Sequence, residues 1–343
     1  MRFGVGIMGE FAASAFAQYV RGIEDLGYDY VWIADERFWR DPYVAMTVCA
    51  LNTRKVVIGT AVTNPYTRFP AVTAAAMATV DEVADGRTVL GIAAGGSNHR
   101  MLGIKRERPA LAVREAVNVF RRLVAGEKFS FNGTLVKVYD AKLDFTPVRP
   151  RIPVYIAARG PSMLELAGEI ADGVIIGGFS SEEGIKYALD HVRRGAAKAG
   201  RSLDNIDVVS WLYTSVSDDD PASAKKAVSQ LVIVSIINSR PILGEMGLEL
   251  PEELRAALDK NDWKQDHEYI SKYLSLLPED LINKFSVSGT VDNCALTIRR
   301  IAELGVNQLA ILPFATKEHT KQDIVNIFKT KVVPKAFPDL QTC

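Results

Sequence analysis

Short runs of small and β-branched residues alternate with helical patterns along almost the whole chain, and that alternation limits the fold more than any other feature. The runs Arg2–Met8, Asp29–Ala34, Val56–Val62, Thr88–Ala94, Ile152–Ala158, Gly173–Ile176, Asp207–Ser215 and Asn307–Leu312 carry little internal charge and read as buried strands. Between them, apolar residues recur at helical spacing over Ala12–Leu26, Pro42–Asn52, Pro70–Val83, Ala110–Ala125, Ser162–Ile170, Glu182–Ala199, Val291–Leu304 and Thr320–Val332. Gly27 and Gly126 stand where two of these helices stop. A strand followed by a helix, repeated every 25 to 35 residues or so (about one βα unit), is the pattern of a parallel sheet with helical crossovers. Eight such strands in 343 residues predict an α/β fold, a TIM (β/α)8 barrel with insertions.

Two stretches depart from the rhythm. Phe129–Phe145 alternates in polarity and predicts a hairpin turning at Asn132-Gly133. Residues 216–290 are acidic, rich in lysine and mostly helical in pattern, which predicts an insertion before the last strand of a single barrel domain spanning 1–343. Inside it the run Leu231–Ile237 (LVIVSII) implies either a buried interface between copies, a dimer or tetramer, or an insertion packed on the barrel.

In a barrel of parallel strands, ligands bind where the strands end. The stretch Lys55–Pro70 (KVVIGTAVTNPYTRFP) is the clearest such place, because a buried strand runs without pause into Thr63, Asn64, Pro65 and Tyr66. Its neighbour Asp81–Gly96 supplies a second strand ending in glycines. Small residues recur at other strand ends, at Ala94-Gly95-Gly96-Ser97, Ala158-Arg159-Gly160 and Gly177-Gly178, where backbone amides would approach a phosphate. Arg159-Gly160-Pro161 couples a cation to a helix start and is the best of these. Each glycine would equally serve a barrel turn, but their repetition in one topological place favours a ligand.

Carboxylates stand at the same end. Asp35 and Glu36 follow the second strand and Glu10 the first, and such groups would donate a proton or anchor a bound ring. The plainer alternative is a surface ion pair with Arg37 or Arg40. Of the four histidines, His191 and His267 lie in polar helical contexts and read as solvated, whereas His99 lies in the loop after the fourth strand. Tyr28, Tyr30 and Trp32 follow strand spacing and read as core, leaving Trp39 freer to face a ligand.

Composition excludes several functions. Lys plus Arg and Asp plus Glu both number 41, so no net field draws nucleic acid or an anionic membrane. Cys49, Cys294 and Cys343 have neither disulfide nor zinc spacing, and no HExxH or nucleophile elbow occurs. No apolar run approaches the roughly 20 residues of a membrane span. A cytoplasmic enzyme acting on a small molecule, without metal, is expected.

The stretch IGTAVTNPYTRFPAVTAAAMATVDEVADGRTVLGIAAG, then IPVYIAARGPSMLELAGEIADGVIIGG and FSVSGTVDNCALTIRRIAELGVNQLAI, resembles the luciferase-like superfamily. Within it the chain is most similar to the coenzyme F420-dependent 5,10-methylenetetrahydromethanopterin reductases. The resemblance implies a barrel with a non-prolyl cis peptide in a bulge of the third strand, falling here between Ala61 and Val62. It implies coenzyme contacts at Asp35, Ala61, Val62, Thr63, Asn64, Ala94–Ser97, Ala158–Gly160 and Gly177-Gly178, with Asp35, Glu10 and Glu36 as catalytic candidates. Where such reductases commonly read Gly-Pro-Gly before the bulge and histidine after the strand-two aspartate, this chain has Gly59-Thr60-Ala61 and Glu36. The activity implied is hydride transfer between reduced F420 and a one-carbon pterin. An FMN-dependent monooxygenase and a non-catalytic flavin-binding protein stand as the alternatives.

Overall fold

The computed structural model describes residues 1–36, 38–96, 101–260 and 267–342. The chain forms two compact units, one of Arg2–Ile175 with His191–Asp207 and one of Ile176–Asp190 with Val208–Cys343, together with Met1.

In the first unit the strands are β1 (Arg2–Ile7), β2 (Tyr30–Ile33), β3 (Val57–Thr60), β4 (Thr88–Ile92), β5 (Phe129–Asn132), β6 (Lys137–Ala141) and β7 (Val154–Ala158). β1, β2, β3, β4 and β7 pair in that order, all parallel. Helices Ala13–Asp25, Pro42–Asn52, Pro70–Val83 and Pro109–Val124 connect them, within a residue or two of their predicted limits. β8 (Gly173–Gly177) has residues in both units. The second unit contains β9 (Asp207–Val216, from Val208 on), β10 (Val287–Gly289) and β11 (Gln308–Pro313), with β9 between the other two and all parallel. Parallel strands joined by helices are the (β/α)8 class the sequence predicts.

Near the amino ends of the strands, the first unit is closed by packing. Trp32 is fully buried, stacks on Tyr30 at 5.6 Å and meets Tyr155 edge-on at 5.4 Å. Glycine makes room for it, since a Cβ at Gly59 would lie 2.5 Å from the indole ring. The Tyr155 hydroxyl donates to Asp207 at 2.7 Å, and Arg2 pairs with the same carboxylate. With that end filled by rings and an ion pair, the carboxyl ends are left for chemistry.

Three expectations are corrected. The hairpin β5–β6 is present, but Asn132 pairs with Lys137, so the turn is the four-residue segment Gly133–Val136 rather than Asn132-Gly133. The buried Glu115 carboxylate sets it by accepting the N–H groups of Thr134, Leu135 and Val136 at 2.7 to 2.8 Å. The 216–290 stretch includes a strand, β10, beside helices such as Pro221–Ser239, Glu252–Lys260 and Glu279–Phe285, and Val232, Ile233, Ile236 and Ile237 are buried within their own unit. His191 is buried rather than solvated, with Nδ1 3.2 Å from Glu165. It lies where helices Pro161–Ile170 and Glu182–Lys198 approach so closely that a Cβ at Gly168 would meet the Val192 carbonyl oxygen at 2.1 Å. The side chain of His267 lies outside the described residues.

Among the described residues no helix is long and apolar enough to cross a membrane.

Candidate active site

The site is built from the loops that follow β1 to β4. Beyond β2, Ala34 donates its N–H to the Ile7 carbonyl at 2.9 Å, which extends the sheet by one residue and sets Asp35 at its edge. The Asp35 side chain is 7% exposed. Its Oδ2 accepts the Thr63 hydroxyl at 2.8 Å and Arg68 Nε at 2.7 Å, and its Oδ1 accepts Arg68 Nη2 at 3.1 Å. A guanidinium fork on both oxygens fixes the orientation of the carboxylate.

The local sequence explains how Arg68 arrives there. Asn64 is buried and its Oδ1 accepts the N–H groups of Tyr66 and Thr67 at 3.1 and 2.9 Å, an Asx turn that reverses the chain after β3. Pro70 then opens helix Pro70–Val83. Arg68, between turn and helix, also donates to Asp41 at 2.8 Å and lies 4.8 Å from the centre of the Tyr43 ring. Asp41 is itself held as the N-cap of helix Pro42–Asn52, accepting from Tyr43 and Val44 N–H. Burial works against the Arg68 cation, but hydrogen bonds and charge from Asp35 and Asp41 raise its pKa above the ordinary value. Burial likewise opposes the Asp41 anion, and Arg68 with the two backbone donors outweighs it, lowering the Asp41 pKa.

Arg68 is the site residue that sequence reasoning missed. Its signal was visible: it is the single charge between Lys55 and Pro70. The plainer alternative for Asp35, an ion pair with Arg37 or Arg40, gives way to the pair with Arg68 among the described residues. Arg40 Nη1 instead donates to the carbonyls of Gly9 and Glu10 at 3.0 and 3.1 Å, tying the first loop to the second. Arg37 lies outside the described residues. Glu10 and Glu36 are half-buried on the loops after β1 and β2. Burial, with the Glu10 charge added, pushes the Tyr19 phenol upward.

After β3 the backbone bends. Thr60 Oγ1 donates to the Gly91 carbonyl at 2.7 Å and accepts the Gly91 N–H at 3.0 Å. Ala61 N–H reaches the Ile33 carbonyl at 2.7 Å, the Ala61–Val62 peptide is cis as the resemblance implied, and Thr63 rejoins the sheet through Gly91 and Ala93. Thr63 is thereby buried with its hydroxyl toward Asp35.

The small residues at the other strand ends differ in what they offer. Ala94 is buried, Gly95 has a φ of 69° and its carbonyl accepts Arg106 at 2.7 Å, and among the described residues nothing lies within 4 Å of a Cβ built on Gly96. Ser97 and His99 lie outside the described residues. Beyond β7, Ala158 is buried, Arg159 is half-buried, and Gly160 is the N-cap of helix Pro161–Ile170 with open space above it. Gly177 and Gly178 belong to the second unit, where Gly178 N–H is already committed to the Trp211 carbonyl at 3.2 Å. No group of three or more His, Cys, Asp or Glu is placed to hold a metal ion among the described residues. Trp39 is 49% exposed while Tyr28, Tyr30 and Trp32 are core, as their spacing predicts.

Residues 1–308 match the family model described as luciferase-like monooxygenase. The chain belongs to the luciferase-like family. It is 35% identical over 98% of its length to a 5,10-methylenetetrahydromethanopterin reductase of Archaeoglobus fulgidus, covering 99% of that protein. It is 33% identical to the reductase of the same name from Methanolobus tindarius, over 90% of this chain and 93% of that one. The structure of the coenzyme F420-dependent tetrahydromethanopterin reductase from Methanopyrus kandleri superposes with a TM-score of 0.83 at 28% identity, covering 97% of this chain and 98% of the other. The barrel of this luciferase-like chain is therefore that of its family, as its sequence resemblance implied.

Proposed function

We propose that this luciferase-like chain is an oxidoreductase that moves a hydride between reduced coenzyme F420 and a small electrophilic carbon, with 5,10-methylenetetrahydromethanopterin or a related one-carbon pterin as substrate. The observation that carries the reading is 35% identity with a reductase of that name over 98% of this chain and 99% of the relative. The residues present fit a flat ring with a phosphate-bearing tail. Asp35, Thr63 and Asn64 form a polar edge beside the Ala61–Val62 bend, and Ala94, Gly95 and Ala158 are too small to block a ring. Space at Gly160, the N-cap of helix Pro161–Ile170, with Arg159 adjacent, suits a tail phosphate at a helix start. Ser97, Gly177 and Gly178 belong to the proposed coenzyme set on the resemblance alone.

When bound, the reduced deazaflavin supplies the hydride, so the chain's own task is position and field. Asp35 anchors and orients by accepting hydrogen bonds. Glu10 and Glu36, on the loops after β1 and β2, would orient the substrate or balance charge that develops during transfer. We place the enzyme in the cytoplasm, in keeping with Cys49 and Cys294, which are free, buried thiols. We read it as a homo-oligomer, because helix Pro42–Asn52 carries no charge and exposes Val44 and Leu51 while the adjoining helix Pro70–Val83 exposes Val72 and Val83.

Titration of the purified protein with F420 and, separately, FMN, followed by ring fluorescence, tests the reading. Micromolar F420 binding with weak FMN binding is expected, followed by turnover of the methylene-pterin. Tight FMN binding with none of F420 would overturn it in favour of a flavin monooxygenase.

A further inference from the structure

We propose that Arg68 is the positioning residue of this site, holding Asp35 so that one remaining lone pair on Oδ1 accepts the imide N–H of the bound ring. The proposal rests on the reading that a deazaflavin or flavin ring binds beside Asp35. A carboxylate offers about four acceptor positions. Among the described residues Thr63 and Arg68 Nε take two on Oδ2 and Arg68 Nη2 takes one on Oδ1, which leaves a single direction open, on Oδ1. The pyrimidinedione edge of such a ring carries one imide N–H between two carbonyls, the complement of a lone acceptor in a polar wall.

Arg68 can fix that direction because it is fixed itself. Asp41 accepts from the same Nη2, and Asp41 cannot swing away without uncapping helix Pro42–Asn52. The guanidinium also lies over the Tyr43 ring. A planar fork is needed here: lysine would keep the charge but lacks two parallel N–H groups in one plane, freeing the carboxylate to rotate. Hydride transfer depends on ring placement at near-attack distance, so a rotating anchor would cost rate as well as affinity.

The test titrates the full-length chain with F420 and with its imide-N-methylated analogue, in wild type, Arg68→Lys and Arg68→Ala, with melting temperature as the control for folding. Wild type is expected to bind F420 at least about tenfold more tightly than the methylated ring, a difference of about 1.4 kcal/mol. Both variants are expected to lose most of that discrimination, and millimolar guanidinium ion is expected to restore it in Arg68→Ala but not in Arg68→Lys. Discrimination as large in Arg68→Lys as in wild type would overturn the proposal and leave Arg68 a tether between loops. Arg68→Lys keeps the cation, so it decides the matter even where Arg68→Ala does not fold. Failure of wild type to bind F420 sinks the deazaflavin reading instead, and the same comparison with FMN and its imide-N-methylated form then tests Arg68.

Discussion

Gly91 on β4 lies so close to Thr60 on β3 that a Cβ built on it would stand 1.9 Å from the Thr60 carbonyl oxygen. Alanine at Gly91 must push the two strand ends apart where the chain bends toward Thr63. Overpacking of this kind costs about 1–3 kcal/mol. Gly91→Ala is expected to lower the melting temperature and to weaken coenzyme binding further than the loss of stability accounts for, because Thr63 N–H is held by the Gly91 carbonyl. Calorimetry and a binding titration on the same sample check both parts.

Replacing Asp35 by asparagine keeps its size and turns one acceptor into a donor facing Arg68. The half-buried guanidinium would then retain only Asp41 as counter-ion. Breaking a pair of this burial costs up to about 3 kcal/mol, and coenzyme affinity is expected to fall by about tenfold or more, one lost hydrogen bond to a charged group. Unchanged affinity in a folded Asp35→Asn protein would remove Asp35 from the site.

Acid sensitivity is expected at the hairpin. Burial works to raise the Glu115 pKa, but the N–H donors of Leu135, Val136 and Thr134 outweigh it and hold the carboxyl below its ordinary value. A value depressed on folding means the stabilisation is present above the unfolded carboxyl pKa of about 4.3 and is lost as pH falls through the folded value. Glu115→Gln should therefore be less stable than wild type at pH 7, by about 1.5–3 kcal/mol, with the two melting temperatures converging below about pH 4. A constant gap across that range would argue against a carboxylate as the turn's organiser.

The exposed apolar side chains of the two adjoining outer helices predict association. Leu51 and Val72 are 63% and 65% exposed. The double variant Leu51→Lys, Val72→Glu should leave melting nearly unchanged when measured dilute, since each side chain already faces solvent in the single chain. It should move the molar mass from light scattering down to that of one chain. A wild-type mass of 37.6 kDa would rule out the oligomer directly.

Periodicity is a local property of a chain, so the strands and helices, the core positions of Trp32 and Tyr30, and the polar exit at Thr63-Asn64 could all be read from the residues themselves. The family resemblance located the cis bond at Ala61–Val62. Misreadings arose where a distant group decides a local outcome. The turn after Asn132 is shaped by Glu115 on another element, and the burial of His191 follows from a glycine-lined helix contact with Gly168. Arg68 shows the division most clearly. In sequence it is one arginine in a polar loop, 33 residues from Asp35. Only the pairing of β2 with β3 and the Asn64 turn bring the two together, because a side-chain fork can recognise a carboxylate only after the backbone has set both at hydrogen-bond distance.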